Sequence, residues 1–197
     1  MDNSTPSLSK GQVLDKKYTV TFFLKKGSYA ETYRVKDQQK TTKLLKLFSY
    51  SKLHRTQFDE SGEVLEIEIL KSLAHQNVVK FYDSGNLLIE NQKYAYAILD
   101  FISGETLSDK MKREHTFNPY EAKDIILGVL NGLNYLHNQQ NPIIHIPLPS
   151  RKEFHLDICC QKSIPHSHLS AFQILVPQTN YQPIVWSQRE CQIPHLF

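Results

Sequence analysis

The distribution of proline and glycine divides this chain at His145. Residues 146–197 hold six of the nine prolines of the 197-residue sequence and none of its seven glycines. Proline breaks helices and cannot donate to a sheet ladder, so only short strands or turns fit between these positions. Without glycine, few residues there can adopt the positive φ of tight turns. We therefore expect an organised fold up to His145 and an irregular tail after it.

Charge and hydropathy place the chain among ordinary soluble proteins and exclude two kinds of partner. The sequence is 40% hydrophobic and 22% charged, and its net charge of +3 is too small to indicate nucleic-acid binding. No apolar run approaches the roughly 20 residues that span a bilayer, so we expect no membrane segment. Residues 1–10 are polar and predict a flexible leader rather than a signal peptide. The three cysteines suggest no disulfide framework, which favours a cytoplasmic protein.

Residues 11–102 carry the strand and helix patterns of a mixed α+β domain. Five β-rich runs surround one segment with a helical period, and further helices follow. The runs lie at 18–24, 32–36, 44–48, 81–89 and 93–99, and the helical period lies at 63–75. Gly27 separates the first two runs and predicts a hairpin there. A sheet followed by helices is typical of an α+β arrangement in two lobes.

Two charged residues interrupt apolar patterns in this region. In the third run, Leu44, Lys46 and Phe48 share one face of the strand, and Leu45 and Leu47 share the other. Two interpretations of Lys46 are open: its side chain reaches water from an edge strand, or it pairs with an acidic residue. Glu66 lies in register with Ile69, Leu70 and Leu73 on one helix face. An unpaired buried charge is costly, so two interpretations of Glu66 are open: its side chain reaches solvent, or it pairs with a lysine.

A long helix is predicted to begin near Pro119, with Glu121 and Asp124 in its first turn, where the helix dipole favours acids. Its apolar positions recur at helical spacing and predict a hydrophobic face. They are Ile126, Val129, Leu130, Leu133 and Leu136.

Taken in order, these segments resemble a protein kinase domain of the serine/threonine type. The segment LKKGSYAETYRV is similar to the glycine-rich loop that covers the ATP phosphates, with Gly27 as its central glycine. Lys46 matches the strand-three lysine of the family, and Glu66 matches the helix αC glutamate that pairs with it. The segments LAHQNVVKFYDSG and YAYAILDFISGETL resemble those around strands four and five, and YEAKDIILGVLNGLNYLHNQQNPIIH resembles helix αE entering the catalytic loop. The resemblance covers residues 11–145 and favours the paired interpretation of Lys46.

The resemblance implies a fold and a domain division. Residues 11–102 are expected to form a small lobe with a five-stranded antiparallel sheet and helix αC. Residues 103–145 are expected to form a truncated large lobe containing helices αD and αE. The function implied is ATP binding and, in the intact family, phosphoryl transfer from ATP to protein serine or threonine.

The resemblance also implies which residues hold the nucleotide. Gly27 and Lys46 are expected at the phosphates, and Glu66 is expected to hold Lys46 there as its ion-pair partner. Asp100 and Ile102 are expected to offer hinge backbone to adenine, next to Leu99 as gatekeeper, and Mg²⁺ is expected only together with ATP. Three departures predict weak binding, since the first and third loop glycines and the usual small alanine before the lysine are replaced. The replacing residues are Lys25, Ala30 and Leu44.

The sequence lacks the residues that phosphoryl transfer requires after His145. His145 matches the histidine of the catalytic loop, but Ile146 and Pro147 follow where the family has a catalytic aspartate two residues on. No D-F-G occurs downstream, and Asp157 has no such context. We therefore assign no catalytic and no metal-binding residue, and expect an inactive relative. The alternative is a pseudokinase-like interaction module that binds another protein through the helix αE face: Ile126, Val129, Leu133 and Leu136.

Residues 146–197 do not match the family. Cys159 and Cys160 lie near His166 and His168, but adjacent cysteines lack the spacing of structural zinc sites, and no motif supports a Cys/His nucleophile. A reading-frame change at the His145 codon is one explanation for this segment, and disorder is another. The first is tested by reading the other two frames past that codon for a D-x-x-x-x-N and a later D-F-G.

Overall fold

The computed structural model describes residues 5–143, 158–161 and 172–174. Within these ranges the chain forms nine strands and three α-helices. The strands are β1 Val13–Leu14, β2 Tyr18–Lys26, β3 Ala30–Lys36, β4 Thr42–Ser49, β5 Phe81–Ile89, β6 Gln92–Asp100, β7 Gly104–Thr106, β8 Ile158–Gln161 and β9 Phe172–Ile174. The helices are α1 Leu65–Ser72, α2 Leu107–Glu114 and α3 Pro119–His137, and short 3₁₀ turns occur at Tyr50–Lys52 and Arg55–Gln57.

The main sheet is antiparallel throughout, with the strand order β1-β2-β3-β4-β6-β5. The mixed α+β class is confirmed, but the sheet has six strands rather than five. The additional strand, β1, has two residues and pairs Val13 with Thr19. A strand of two residues is too short to produce a period in the sequence, which is why the pattern missed it.

The alternation predicted for β4 is present and separates two hydrophobic cores. Leu45 and Leu47 belong to the sheet core, whereas Phe48 belongs to the helix-side core beneath α1. The sheet core comprises Leu8, Leu14, Tyr18, Val20, Tyr33, Val35, Leu45, Leu47, Tyr94, Tyr96 and Ile98. The helix-side core comprises Ala30, Phe48, Val64, Ile67, Leu70, Val79, Ala95, Ala97 and Leu99.

The sheet curls until its two ends meet. Asp83 lies on β5 at one end of the strand order, and it accepts hydrogen bonds from Lys17 Nζ at 3.0 Å and Tyr18 Oη at 2.9 Å at the other end. The Tyr96 hydroxyl donates to Asp15, which lies in the β1–β2 turn. These contacts close the curl around the sheet core.

The closing contacts predict a loss of stability at alkaline pH. Burial and the hydrogen bond to Asp83 raise the pKa of Tyr18 to about 12. The folded state therefore holds this proton more tightly than the unfolded chain, whose tyrosines titrate near pH 10. The stabilisation is complete below about pH 10 and lost as the pH rises through about 12. We expect the urea midpoint to fall more steeply over this window in the wild type than in Tyr18→Phe, and equal slopes would contradict the assignment.

Gly85 on β5 leaves room for the ring of Tyr96. A Cβ at this position would lie 2.7 Å from Tyr96 Oη and 2.8 Å from Cε1. Tyr96 is 1% exposed and holds Asp15, so its ring has little freedom to move. We expect Gly85→Ala to lower the free energy of unfolding by about 1–3 kcal/mol. Urea unfolding measures this loss, and an unchanged midpoint would show that the ring moves aside.

The β5–β6 and β1–β2 hairpin turns use positive φ without glycine. The β5–β6 turn places Glu90 and Asn91 at φ 48° and 62°, and the β1–β2 turn places Asp15 and Lys16 at 46° and 56°. Such turns match the right-handed twist of the flanking strands, which explains their use despite the steric cost.

The helices differ from their predicted patterns in length and phase. Helix α1 covers 65–72 instead of 63–75, because Val64 is extended and bridges to Phe58, and Leu73 is extended at the other end. Helix α3 begins at Pro119 as predicted. Its buried positions are Ile125, Gly128, Gly132 and Leu136, so Leu136 does not belong to the exposed face for which it was predicted.

Part of the predicted leader lies within the fold. Leu8 is 3% exposed and belongs to the sheet core, and the backbone of Gly11 and Gln12 bonds to Val20 on β2. The first four residues lie outside the described residues.

Two short strands occur in the segment predicted as an irregular tail. β8 pairs with β7 and with β9 in a small antiparallel sheet, and the pairing includes Glu105 opposite Cys160. Strands of four and three residues fit the limit that the prolines set. His145 and the rest of the tail lie outside the described residues. Among the described helices, none is both long and apolar enough to cross a membrane.

Candidate functional site

The hairpin predicted at Gly27 is formed by β2 and β3, and its loop has three residues, Gly27 to Tyr29. The Gly27 amide donates to the Ala30 carbonyl at 2.8 Å, and the Tyr29 carbonyl accepts from the Ser49 amide at 3.3 Å. Gly27 and Ser28 are exposed at the tip. The loop is thus anchored at its base and open at its tip.

Lys46 and Glu66 meet beneath this hairpin. Lys46 Nζ donates to Glu66 Oε1, and both side chains are largely but not fully buried, at 16% and 18% exposed. Lys46 lies between Thr32 on β3 and Ala97 on β6, so it is not on an edge strand. The edge-strand interpretation is therefore wrong, and the paired one agrees with the contact. An ammonium group held in this way can present charge to an anion while one partner already compensates its burial.

A turn before helix α1 places Glu66. The Asp59 carboxylate accepts from the amides of Ser61 and Glu63 at 2.9 Å each. Hydrogen bonds from Ser61 and Glu63 outweigh slight desolvation and lower the pKa of Asp59. Glu66 then falls in the first turn of α1, where the positive end of the helix dipole stabilises a carboxylate.

Asp100 ends strand β6, and both its backbone amide and its carboxylate have partners within the fold. The Asp100 amide donates to the Lys80 carbonyl at 2.9 Å. Its carboxylate accepts from Tyr82 Oη at 3.2 Å and lies 3.7 Å from Lys43 Nζ. The contact of adenine with the backbone of Asp100 and Ile102 stays a prediction, and the Asp100 amide is already bonded within the fold.

Lys43 and Tyr82 are residues that sequence reasoning missed. Lys43 is 8% exposed, and its Nζ lies 3.4 Å from the centroid of the Tyr82 ring. A cation over an aromatic face is favourable, and here it braces the end of β6. The sequence signal that could have identified Lys43 is its position as a second lysine in the same strand, three residues before Lys46.

The apolar part of the site comes from facing residues of β4 and β6. Leu44 and Leu99 are directly opposite in the antiparallel register. Leu99 is 2% exposed and Leu44 is half-buried, and both pack in the helix-side core. Crowding of adenine by Leu44 stays a prediction.

Helix α3 is attached to the small lobe by the loop after α1. The rings of His75 and Tyr135 stack with centroids 4.7 Å apart, and the Tyr135 hydroxyl accepts from the Ala74 amide at 2.9 Å. Leu136 packs with Leu73 and Val78 beside them. Helix α3 and the loop after α1 therefore share a hydrophobic contact.

The residues present fit a nucleotide better than a metal ion. Lys46 is a partly exposed cation of the kind that suits phosphates, half-buried Leu44 lies on the same face of β4, and Asp100–Ile102 follow directly after Leu99 on β6. In the described ranges, no group of three or more histidine, cysteine, aspartate or glutamate side chains is placed to hold a metal ion. His145 lies outside these ranges.

Comparison with known proteins identifies similar chains. Human serine/threonine-protein kinase WNK4 is 29% identical over 124 residues, covering 61% of this chain and 10% of that protein. Tousled-like kinase 1 of Caenorhabditis elegans is 28% identical over 156 residues, covering 75% and 15%. Calcium-dependent protein kinase 4 of Plasmodium berghei is 31% identical over 134 residues, covering 68% and 24%. The chain thus spans at most about a quarter of these relatives.

The model of the protein kinase domain matches residues 18–148, which is well over half of the chain. This range includes the hairpin loop, the Lys46–Glu66 pair, the hinge and helix α3. The curled antiparallel sheet with a few helices is consistent with the match. The chain belongs to the protein kinase domain family.

Proposed function

We propose that this chain binds ATP between the β2–β3 hairpin and the hinge, with Lys46 at the phosphates. The observation that carries the proposal is the Lys46–Glu66 ion pair on a central strand beneath the loop. A lysine fixed by a carboxylate is a positioned point charge, which suits phosphate oxygens. Gly27 at the exposed loop tip allows close approach of backbone to the phosphates.

The affinity proposed is low. Lys25 and Ala30 replace two loop glycines, which reduces the ability of the loop to fold over a phosphate. Leu44 narrows the apolar space beside Leu99. Serine/threonine kinase ancestry, rather than tyrosine kinase ancestry, is proposed because the similar proteins include serine/threonine-protein kinases.

We further propose that this chain does not transfer the γ-phosphoryl group. The reaction needs a carboxylate to accept the substrate proton and carboxylate or amide ligands for Mg²⁺. Residues 146–197 contain one aspartate, Asp157, without the flanking residues of either motif. If Mg²⁺ accompanies ATP, it would act as a counter-ion, and we assign it no residue of this chain.

Titration with a fluorescent ATP analogue in the presence of Mg²⁺ tests the binding proposal. Competition should follow the order ATP, ADP, AMP, adenosine, because each lost phosphate removes attraction to Lys46. The same samples, incubated with γ-labelled ATP and a general protein substrate, should give no labelled protein. An absence of saturable binding at about 1 mM, which corresponds to about 4 kcal/mol of binding free energy, would overturn the proposal.

A second candidate is a protein-interaction module, and the exposure of α3 favours it. Ile126 and Leu130 lie one turn apart and are 56% and 54% exposed, and Leu127 beside them is 44% exposed. An apolar group of this kind suits a protein contact. Light scattering of the wild type and of Ile126→Ser/Leu130→Ser tests self-association through this face. A folded chain that binds no nucleotide but loses association in the variant would favour this candidate.

A further inference from the structure

A buried carboxylate lies at the base of the β2–β3 hairpin. The Glu31 side chain is 8% exposed and accepts three hydrogen bonds or ionic contacts from different parts of the chain. Its Oε1 lies 3.3 Å from Lys26 Nζ, and its Oε2 accepts from the Ser7 amide at 2.9 Å. The Tyr33 hydroxyl also donates to Oε2. These partners compensate a charge that would otherwise be costly to bury.

The ionised form of Glu31 is the favoured one in the fold. Burial on its own raises the pKa of this carboxyl, but hydrogen bonds from Tyr33, Ser7 and Lys26 outweigh burial and lower the pKa below its ordinary value. Glu31 is therefore expected to stay charged at neutral pH, so each hydrogen bond that it accepts is charge-assisted.

One of these contacts, from Lys26, leads directly to the loop. Lys26 and Glu31 face each other across β2 and β3, and they are the last paired residues before the turn. The next contact is the bond from the Gly27 amide to the Ala30 carbonyl. Because Gly27 follows Lys26 and Ala30 precedes Glu31, any movement of this pair shifts the backbone that holds the loop.

The other contacts lead to residues 5–8, which we call the N-terminal segment. Ser7 donates to Glu31, and the Leu8 amide donates to the Tyr33 hydroxyl at 3.1 Å. Leu8 is 3% exposed in the sheet core, so it anchors the segment to the sheet. One carboxylate thus joins the N-terminal segment to the base of the loop.

We propose that the N-terminal segment controls the order of the Gly27–Tyr29 loop through Glu31, and thereby sets the affinity for nucleotide. Glu31 is a positioning residue in this proposal, since it contacts Lys26 at the base of the loop and not the ligand. The effect on affinity rests on the proposed function, whereas the effect on the loop does not. A coupling of this kind changes affinity by about fivefold or more.

Hydrogen exchange of a peptide covering residues 24–31 tests the proposal together with nucleotide titration. Leu8→Ala releases the segment, and Glu31→Gln removes the charge without changing the shape of the side chain. Both should speed exchange at the loop amides and weaken binding of the fluorescent ATP analogue by about fivefold or more. The double variant should be no worse than either single variant at the loop, because both act through one contact.

Leu14→Ala is the matched control for lost stability. Leu14 is 2% exposed in the same core, and no hydrogen bond joins it to Glu31. It should lower the unfolding midpoint about as much as Leu8→Ala and leave loop exchange unchanged. Equal loop exchange in both leucine variants, or additive effects in the double variant, would overturn the proposal. If the wild type binds no nucleotide, the proposed function fails, while loop exchange still decides the role of Glu31.

Discussion

Replacing Lys46 with alanine is expected to weaken ATP binding by about tenfold to a hundredfold. A hydrogen bond to a charged group contributes about 1.5–3 kcal/mol, and each 1.4 kcal/mol corresponds to about tenfold in affinity. Lys46 is held in place by Glu66 before the ligand arrives, so little side-chain entropy remains to be lost on binding. Titration of wild type and Lys46→Ala with the fluorescent analogue gives the ratio directly.

Two variants make the Lys46 result specific. Lys36→Ala removes an exposed lysine at the end of β3 and should leave the affinity unchanged. Glu66→Gln keeps the shape of the partner but removes its charge, and a loss smaller than that of Lys46→Ala is expected. Equal affinities for wild type and Lys46→Ala would place the phosphates elsewhere.

Truncating Leu45 to alanine is expected to lower the free energy of unfolding by about 2–5 kcal/mol. Leu45 is 0% exposed on β4, between β3 and β6, and lies in the sheet core. A strand paired on both sides cannot collapse easily around a cavity, which favours the upper half of this range. The total stability of a domain is about 5–15 kcal/mol, so the loss is a large fraction of it.

Urea unfolding of Leu45→Ala should show the loss as a lower midpoint with little change in slope. Leu88→Ala is the control on the same sheet, because Leu88 is 72% exposed on β5. It should change stability by less than about 0.5 kcal/mol. Similar midpoints for the two variants would mean that the sheet core does not carry the stability.

Strand alternation and spacing were sufficient to predict the small lobe around β4. The two faces of β4 fill two different cores, as the order of Leu45, Lys46 and Leu47 implies. The Lys46–Glu66 contact also agrees with the prediction, because a charge inside an apolar period needs a partner nearby. The first inference depends on local periodicity, which a single sequence displays, whereas the second was favoured over an edge-strand lysine by the resemblance to the family.

Features that depend on tertiary contact were not predictable in the same way. Helix α3 buries Gly128 and Gly132, which carry no hydrophobic signal, so the predicted face was rotated toward Ile126. Leu8 lies in a polar stretch and shows no period, although it packs in the sheet core. The brace of Tyr82 and Lys43 on Asp100 joins strands whose adjacency only the fold reveals.

The contact between the loop after α1 and helix α3 has a practical meaning for dividing the chain. A fragment ending at Ile102, where the small lobe was predicted to end, would leave Leu73 and Val78 without Leu136 and the His75 ring without its stacking partner. Such a fragment should be prone to precipitate on purification. A fragment that continues to Ile143, which packs in the same cluster, keeps this surface covered. It is shorter than the full chain and is the one to prepare for nucleotide titrations or spectroscopy.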